Sequence, residues 1–152
     1  MLHAANKLTP ASSRKKKCCL YTPGFILALW AHLNLEKPLN VVVFMCLTTC
    51  FYASARLGKF TVKTLTSFKP NTHITTQHLS YNQDHNSFKV TVLHLPKTKV
   101  AGSEGKDIYW TSQEGGTDLT EALAQHLWVN QPPEASHSFT YKAPIPGTPS
   151  PR

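Results

Sequence analysis

Tyr52-Ala53-Ser54-Ala55-Arg56-Leu57-Gly58-Lys59-Phe60 closes a run, Leu39 to Ala55, that is apolar nearly all the way round. Apolar residues on every side of a helical stretch mark a helix packed on every side, so this run reads as the central helix of the fold. Its start is Lys37-Pro38, because proline at the first helical position gives up an N–H that would have no partner there anyway. At its far end it delivers a single arginine, Arg56. Gly58 follows, a residue suited to a turn or to close packing.

On the N-terminal side, Thr22-Pro23 is a second helix start, with Thr22 as cap. Phe25, Leu29 and Leu33, joined by Ile26 and Trp30, predict an amphipathic helix of about three turns. Downstream, His73-Ile74-Thr75-Thr76-Gln77-His78-Leu79 is rich in β-formers, and Asn82-Gln83-Asp84-His85-Asn86 is a turn cluster. Phe88-Lys89-Val90-Thr91-Val92-Leu93-His94-Leu95 is the strongest strand pattern, ended by Pro96. Residues 97–106 read as a hairpin loop carrying Lys97, Lys99 and Lys106, and Asp107-Ile108-Tyr109-Trp110-Thr111 as the returning strand. Asp118 caps a last helix, with Glu121 in the capping-box position and Leu119, Leu123 and Leu127 on one face. Asn130 ends it before Pro132-Pro133.

The expected fold class is therefore α+β, mostly helical with a small three-stranded antiparallel sheet. The patterning divides the chain into three spans: a flexible basic arm or linker over 1–21, a folded unit over 22–142, and a proline-rich tail over 143–152 that should not fold.

The chain has 152 residues and a net charge of +8, unevenly spread. Residues 1–99 carry thirteen Lys and Arg against two acids, Glu36 and Asp84, whereas residues 100–152 carry three against six. A basic half of this kind suits a polyanion, nucleic acid first and an anionic membrane surface second. The run Arg14-Lys15-Lys16-Lys17 serves as a nuclear import signal, a phosphate contact or a solvated tail. The apolar run Val41–Ala55 contains Thr48, Thr49 and Ser54, and is shorter than the ~20 residues a bilayer span needs. Cys18, Cys19, Cys46 and Cys50 show no C-x-x-C spacing, and the last two sit one helical turn apart in the core run. A reducing compartment, nucleus or cytosol, fits that pattern. The eight histidines share no ligand spacing, so no metal is expected. There is no phosphate-binding glycine loop and no Ser-His-Asp or Cys-His set.

Arg56 with Lys97 or Lys99 is what remains. A guanidinium offers a planar fork for two phosphate oxygens. A hairpin lysine can bind a phosphate or donate a proton to a leaving oxygen. Residue chemistry alone favours a plainer picture, an exposed arginine and a solvated hairpin.

The order of these features resembles the catalytic domain of tyrosine recombinases, and most of all the phage-integrase-like recombinases of fungal mobile elements. The likeness is carried by Thr48-Thr49-Cys50-Phe51-Tyr52-Ala53-Ser54-Ala55-Arg56-Leu57-Gly58, by His94-Leu95-Pro96-Lys97-Thr98-Lys99, by Asp107-Ile108-Tyr109-Trp110, and by Val129-Asn130-Gln131-Pro132-Pro133. It extends from about residue 8 to about residue 142. The resemblance implies DNA integration and recombination through a phosphotyrosyl link, with no metal or nucleotide cofactor. It makes Arg56 the first catalytic arginine and Lys99 the hairpin general acid, with Lys97 as second choice. Arg14, Lys15, Lys16, Lys17, Lys97 and Lys106 become DNA contacts. It implies DNA and intact recombinase protomers as partners, no membrane, no small-molecule substrate, and a nuclear location with the cytoplasm as alternative.

Departures from the family are equally specific. The family places an acid where this chain has Lys59. Its H-x-x-R motif and its tyrosine nucleophile have no counterpart, and Tyr141 lies too early to serve. The expectation is a truncated recombinase domain that is unable to cut DNA by itself. The alternatives are a non-catalytic DNA-binding or interaction protein and a small zinc or protein-interaction module.

Overall fold

The computed structural model describes residues 21–98 and 101–143. The basic arm therefore lies outside the described residues except for Tyr21, and the proline-rich tail except for Ala143. The described chain is α+β, three helices against a three-stranded antiparallel sheet.

Helix α1 spans Pro23–His32 and is capped as expected, Thr22 Oγ1 accepting from the Phe25 N–H at 3.2 Å. It is not amphipathic in its packing. Ile26 is its one fully buried residue, whereas Phe25, Leu27 and Trp30 are exposed. Apolar residues at 25, 26, 27, 29 and 30 fall on several faces, and a single neighbouring helix can cover only one of them.

Helix α2, Pro38–Tyr52, is the central helix and buries Val41, Val42, Phe44, Met45, Cys46, Thr48 and Thr49. Its two buried threonines do not leave hydroxyls unpaired. Thr48 donates to the Phe44 carbonyl at 3.0 Å and Thr49 to the Met45 carbonyl at 2.8 Å. Cys46 and Cys50 are free thiols. A hydrogen bond between them, together with burial, keeps Cys46 protonated.

The sheet is formed by β1 (Leu79–Gln83), β2 (Lys89–Leu95) and β3 (Lys106–Thr111), in the order β1-β2-β3. Leu79 pairs with Leu93, Leu93 with Ile108, and Thr91 with Trp110, so alternate residues build one core face. The expected strand over His73–Leu79 is displaced. Thr75 and His78 instead make a reciprocal cap around a 3₁₀ turn, the Thr75 N–H donating to His78 Nδ1 at 2.9 Å, and the strand begins only at Leu79. The turn cluster shifts with it. Asp84 accepts from the N–H groups of Asn86 and Phe88 at 2.9 and 2.8 Å, which centres the hairpin on residues 84–87. Lys106 opens β3 opposite Leu95 rather than sitting in the loop.

Helix α3, Leu119–Asn130, packs Leu119, Ala122, Leu123 and His126 into the core. Asp118 caps it by accepting from the Thr120 N–H at 2.9 Å and from the Ser112 hydroxyl at 2.7 Å. Glu121 does not complete a capping box, because the Asp118 N–H is already taken by the Gly115 carbonyl at 3.1 Å. At the other end, Gln131 turns the chain in the left-handed conformation.

A buried polar chain locks this end of the molecule. Asn130 Nδ2 donates to the Pro38 carbonyl at 3.1 Å and to His126 Nδ1 at 3.0 Å, while its Oδ1 accepts from the Lys142 N–H at 3.1 Å. His126 Nε2 in turn donates to the Ser138 carbonyl at 2.7 Å. Replacing Asn130 with Ala strands several buried groups at once. The expected loss is about 2–4 kcal/mol, read as a lower urea midpoint with an unchanged m-value. A midpoint shift within about 0.5 kcal/mol would show that the chain carries no weight.

Candidate functional site

The backbone beyond α2 shapes the stretch that carries Arg56. The helix stops at Tyr52, and Ser54 takes a left-handed conformation at φ 48° that reverses the chain. Arg56 then lies in extended backbone four positions past the helix, leading into a 3₁₀ turn over Leu57–Lys59. Its side chain is exposed. Gly58 is needed neither for a positive φ nor for close packing, since a Cβ there would meet open space. The residue that pins the turn is Phe60, fully buried and edge-on to Phe139 with ring centroids 5.4 Å apart.

Beyond this turn the structure brings two basic segments together. Lys59 Nζ donates to the backbone carbonyl of Lys97 at 3.2 Å, across 38 residues of sequence. Both residues line a cleft of about 340 Å³, together with Gly58, Thr72–Ile74, Leu95, Pro96 and Thr98. Among the described residues, no carboxylate lines it. Lys97 is exposed at its rim, while Arg56 stands on the adjoining turn outside the lining. Lys106 is exposed at the start of β3, opposite Leu95. Lys99 and Arg14, Lys15, Lys16 and Lys17 lie outside the described residues.

The base of the β2–β3 loop is held in three ways. The Thr98 N–H donates to the Gly102 carbonyl at 3.2 Å, and Thr98 Oγ1 accepts from the Ala101 N–H at 3.0 Å. Gly105 has a φ of 73°, and a Cβ there would run into the Leu95 carbonyl and the His94 ring. The third tie is His94 with Asp107, a cross-strand pair on the outer sheet face with Nδ1 and Oδ1 2.6 Å apart. The Tyr109 hydroxyl donates to the other carboxylate oxygen at 3.1 Å, and the His78 ring stacks on His94 at 5.8 Å. The His94 hydrogen bond holds Asp107 below the usual carboxylate range, and Asp107 in turn raises Tyr109. His78 is lowered by burial and by the neighbouring His94.

A second histidine pair backs the cleft. His73 in its wall accepts from the Lys69 N–H at 3.0 Å, and the His137 ring lies 6.3 Å behind it, edge-on to Phe68. His137 Nδ1 accepts from the Phe139 N–H at 3.1 Å, and its Nε2 is buried with no hydrogen-bond partner among the described residues. Burial, and then the charge on His73, push His137 down to about 4. Among the described residues, no three His, Cys, Asp or Glu side chains gather to hold a metal ion. No helix among them is long and apolar enough to cross a membrane.

Sequence reasoning passed over Lys59 as a site residue and saw it only as a departure from an acid. The signal available was its place three positions after Arg56, on the same turn. The His94–Asp107 pair was equally silent, although the two residues lie on the strands either side of the expected loop and the hairpin register sets them opposite one another.

No protein-family model, curated protein sequence or solved structure matches this chain.

The buried histidines give the fold a pH dependence of definite sign. The folded state holds His137 and His126 neutral, their affinity for protons lowered chiefly by burial, while the unfolded chain protonates them near the usual value of about 6.5. Stability should therefore fall as pH drops from about 6.5 towards about 4, with His137 contributing on the order of 2–3 kcal/mol. Asp107 adds to the loss further down, since its depressed value stabilises the fold only while it is ionised. Asparagine at 137 keeps an acceptor for the Phe139 N–H but does not titrate. His137→Asn should flatten the profile between those pH values in urea melts, and an unaltered slope would refute the assignment.

Proposed function

We propose that this chain is a tyrosine-recombinase-like domain of the fungal mobile-element type, related to DNA integration and recombination, that grips the DNA backbone without cutting it. The observation that supports this reading is the Lys59–Lys97 contact. It holds the turn that follows Arg56 against the β2–β3 hairpin, beside a cleft with no carboxylate among its described lining residues, which is what two basic segments need to meet one phosphate backbone. Arg56 supplies the fork for two phosphate oxygens. Lys97, with Lys99 beyond the described loop residues, supplies the hairpin ammonium.

The same residues set the limit of the chemistry. The arginines of these 152 residues are Arg14, Arg56 and Arg152, and none completes an H-x-x-R pair. Within these residues the phosphate meets one guanidinium of the two that the resemblance implies, and no residue here is assigned as the attacking tyrosine. What these residues offer is backbone binding, in the nucleus and beside intact recombinase protomers, with no cofactor.

Fluorescence anisotropy with a short labelled duplex tests this. Binding should weaken steeply with salt, and Arg56→Ala and Lys97→Ala should each weaken it by roughly tenfold, the scale of one charged contact. Salt-insensitive binding, or none, would overturn the reading. Denaturing electrophoresis of the same mixture should show no covalent adduct, and a retained DNA–protein band would contradict the absence of a cleavage step.

A further inference from the structure

We infer that Lys59 is itself a phosphate ligand, and that the cleft between the Leu57–Lys59 turn, Thr72–Ile74 and Leu95–Thr98 is a seat for a second backbone phosphate beside the one gripped by Arg56. The inference deepens the DNA-binding reading and rests on it for the identity of the polymer. The shared chemistry is a phosphate oxygen, whether from a nucleic-acid backbone or from a free anion.

Lys59 is preorganised for this. An ammonium has three N–H donors, and one is fixed on the Lys97 carbonyl at 3.2 Å. The side chain is half-buried and already held, so it loses less freedom on meeting a ligand than a solvated lysine would. Its remaining donors belong to a residue that lines the cleft. Thr98 also lines the cleft, and its Oγ1, which accepts from the Ala101 N–H, carries an O–H donor of its own. Lys97 adds a second positive charge at the rim. Nothing among the described lining residues neutralises either lysine. At ~30 Å³ per water, a volume of about 340 Å³ takes a phosphate with its hydration.

The acid expected at position 59 from the family pattern would act oppositely. It would repel a phosphate and could neutralise Lys97. A lysine tied to the hairpin by its carbonyl joins the two segments while adding charge.

Variants separate the tether from the charge. Lys59→Gln keeps an N–H for the Lys97 carbonyl but has no charge, and Lys59→Arg keeps both. Lys89→Met removes one charge from a different groove, at the far end of β2. In duplex titrations across a salt series, Lys59→Gln should reduce the slope of log K against log salt by about 0.9, one phosphate's share. Lys59→Arg should restore it, and Lys89→Met should leave it unchanged. If the duplex binds but Lys59→Gln matches the wild type, or Lys89→Met matches Lys59→Gln, the phosphate seat is overturned and the DNA-binding reading stands.

Inorganic phosphate provides the other arm. Titrated into the isotopically labelled full chain, it should shift the amides of Gly58, Lys59, Lys97 and Thr98, and Lys59→Gln should abolish those shifts. Were phosphate to do this while no duplex binds, the seat would hold and the DNA reading would fall. Silence at those amides with no duplex binding would overturn both.

Discussion

Asn130 is the pivot on which this fold turns. It is almost completely buried and uses both ends of its amide, reaching the first turn of α2 at Pro38, the neighbouring His126 and the Lys142 backbone. His126 passes the chain on to the Ser138 carbonyl and is fixed by it as the neutral Nε2–H tautomer. Apolar packing brings α2 and α3 together, but apolar contact is indifferent to small slides. A directional network that strands buried groups when it shifts is not, since each orphaned group costs about 1–3 kcal/mol. The network therefore sets where α3 lies along α2 and where the segment after α3 runs.

That setting propagates to the cleft. The segment positioned through Ser138 carries Phe139, whose ring meets Phe60, and Phe60 is the buried anchor of the turn that bears Lys59. His137, one residue earlier, backs His73 in the cleft wall. On the other side, β2 carries Leu93 and Leu95 in the core and ends two residues before Lys97, and its register against β3 is what pairs His94 with Asp107. The two walls of the cleft are thus held by different parts of the core, and Lys59 joins them by a single hydrogen bond to Lys97.

The electrostatics of the cleft depend on where the acids are used. Asp84 is committed to the β1–β2 turn, Asp107 to His94 and Tyr109, and Asp118 to the start of α3. Each of these aspartates has a structural partner, and none of the three is among the described lining residues of the cleft. The net charge of +8 is a property of the whole chain, and the cleft shares in it because no carboxylate stands among its described lining residues.

The sequence by itself determined the starts of the helices, the α+β class and the strands β2 and β3. These depend on neighbours a few residues apart: a cap at Thr22 or Asp118, a proline at 23 or 38 with no N–H to satisfy, alternation from Lys89 to Leu95. Where two local rules competed, the pattern misled. The β-formers from His73 to Leu79 gave way to the Thr75–His78 cap, and Glu121 lost its place in a capping box because the Gly115 carbonyl took the Asp118 N–H. Gly58, read as suited to a turn or close packing, does lie in the turn Leu57–Lys59 but has open space about it, and the left-handed residue after α2 is Ser54. Only the tertiary structure decided that Lys59 meets the Lys97 carbonyl and that Arg56 stands beside the cleft rather than in its lining. Such contacts join segments tens of residues apart, and their positions are set by the packing of the core between them, which no short window of sequence contains.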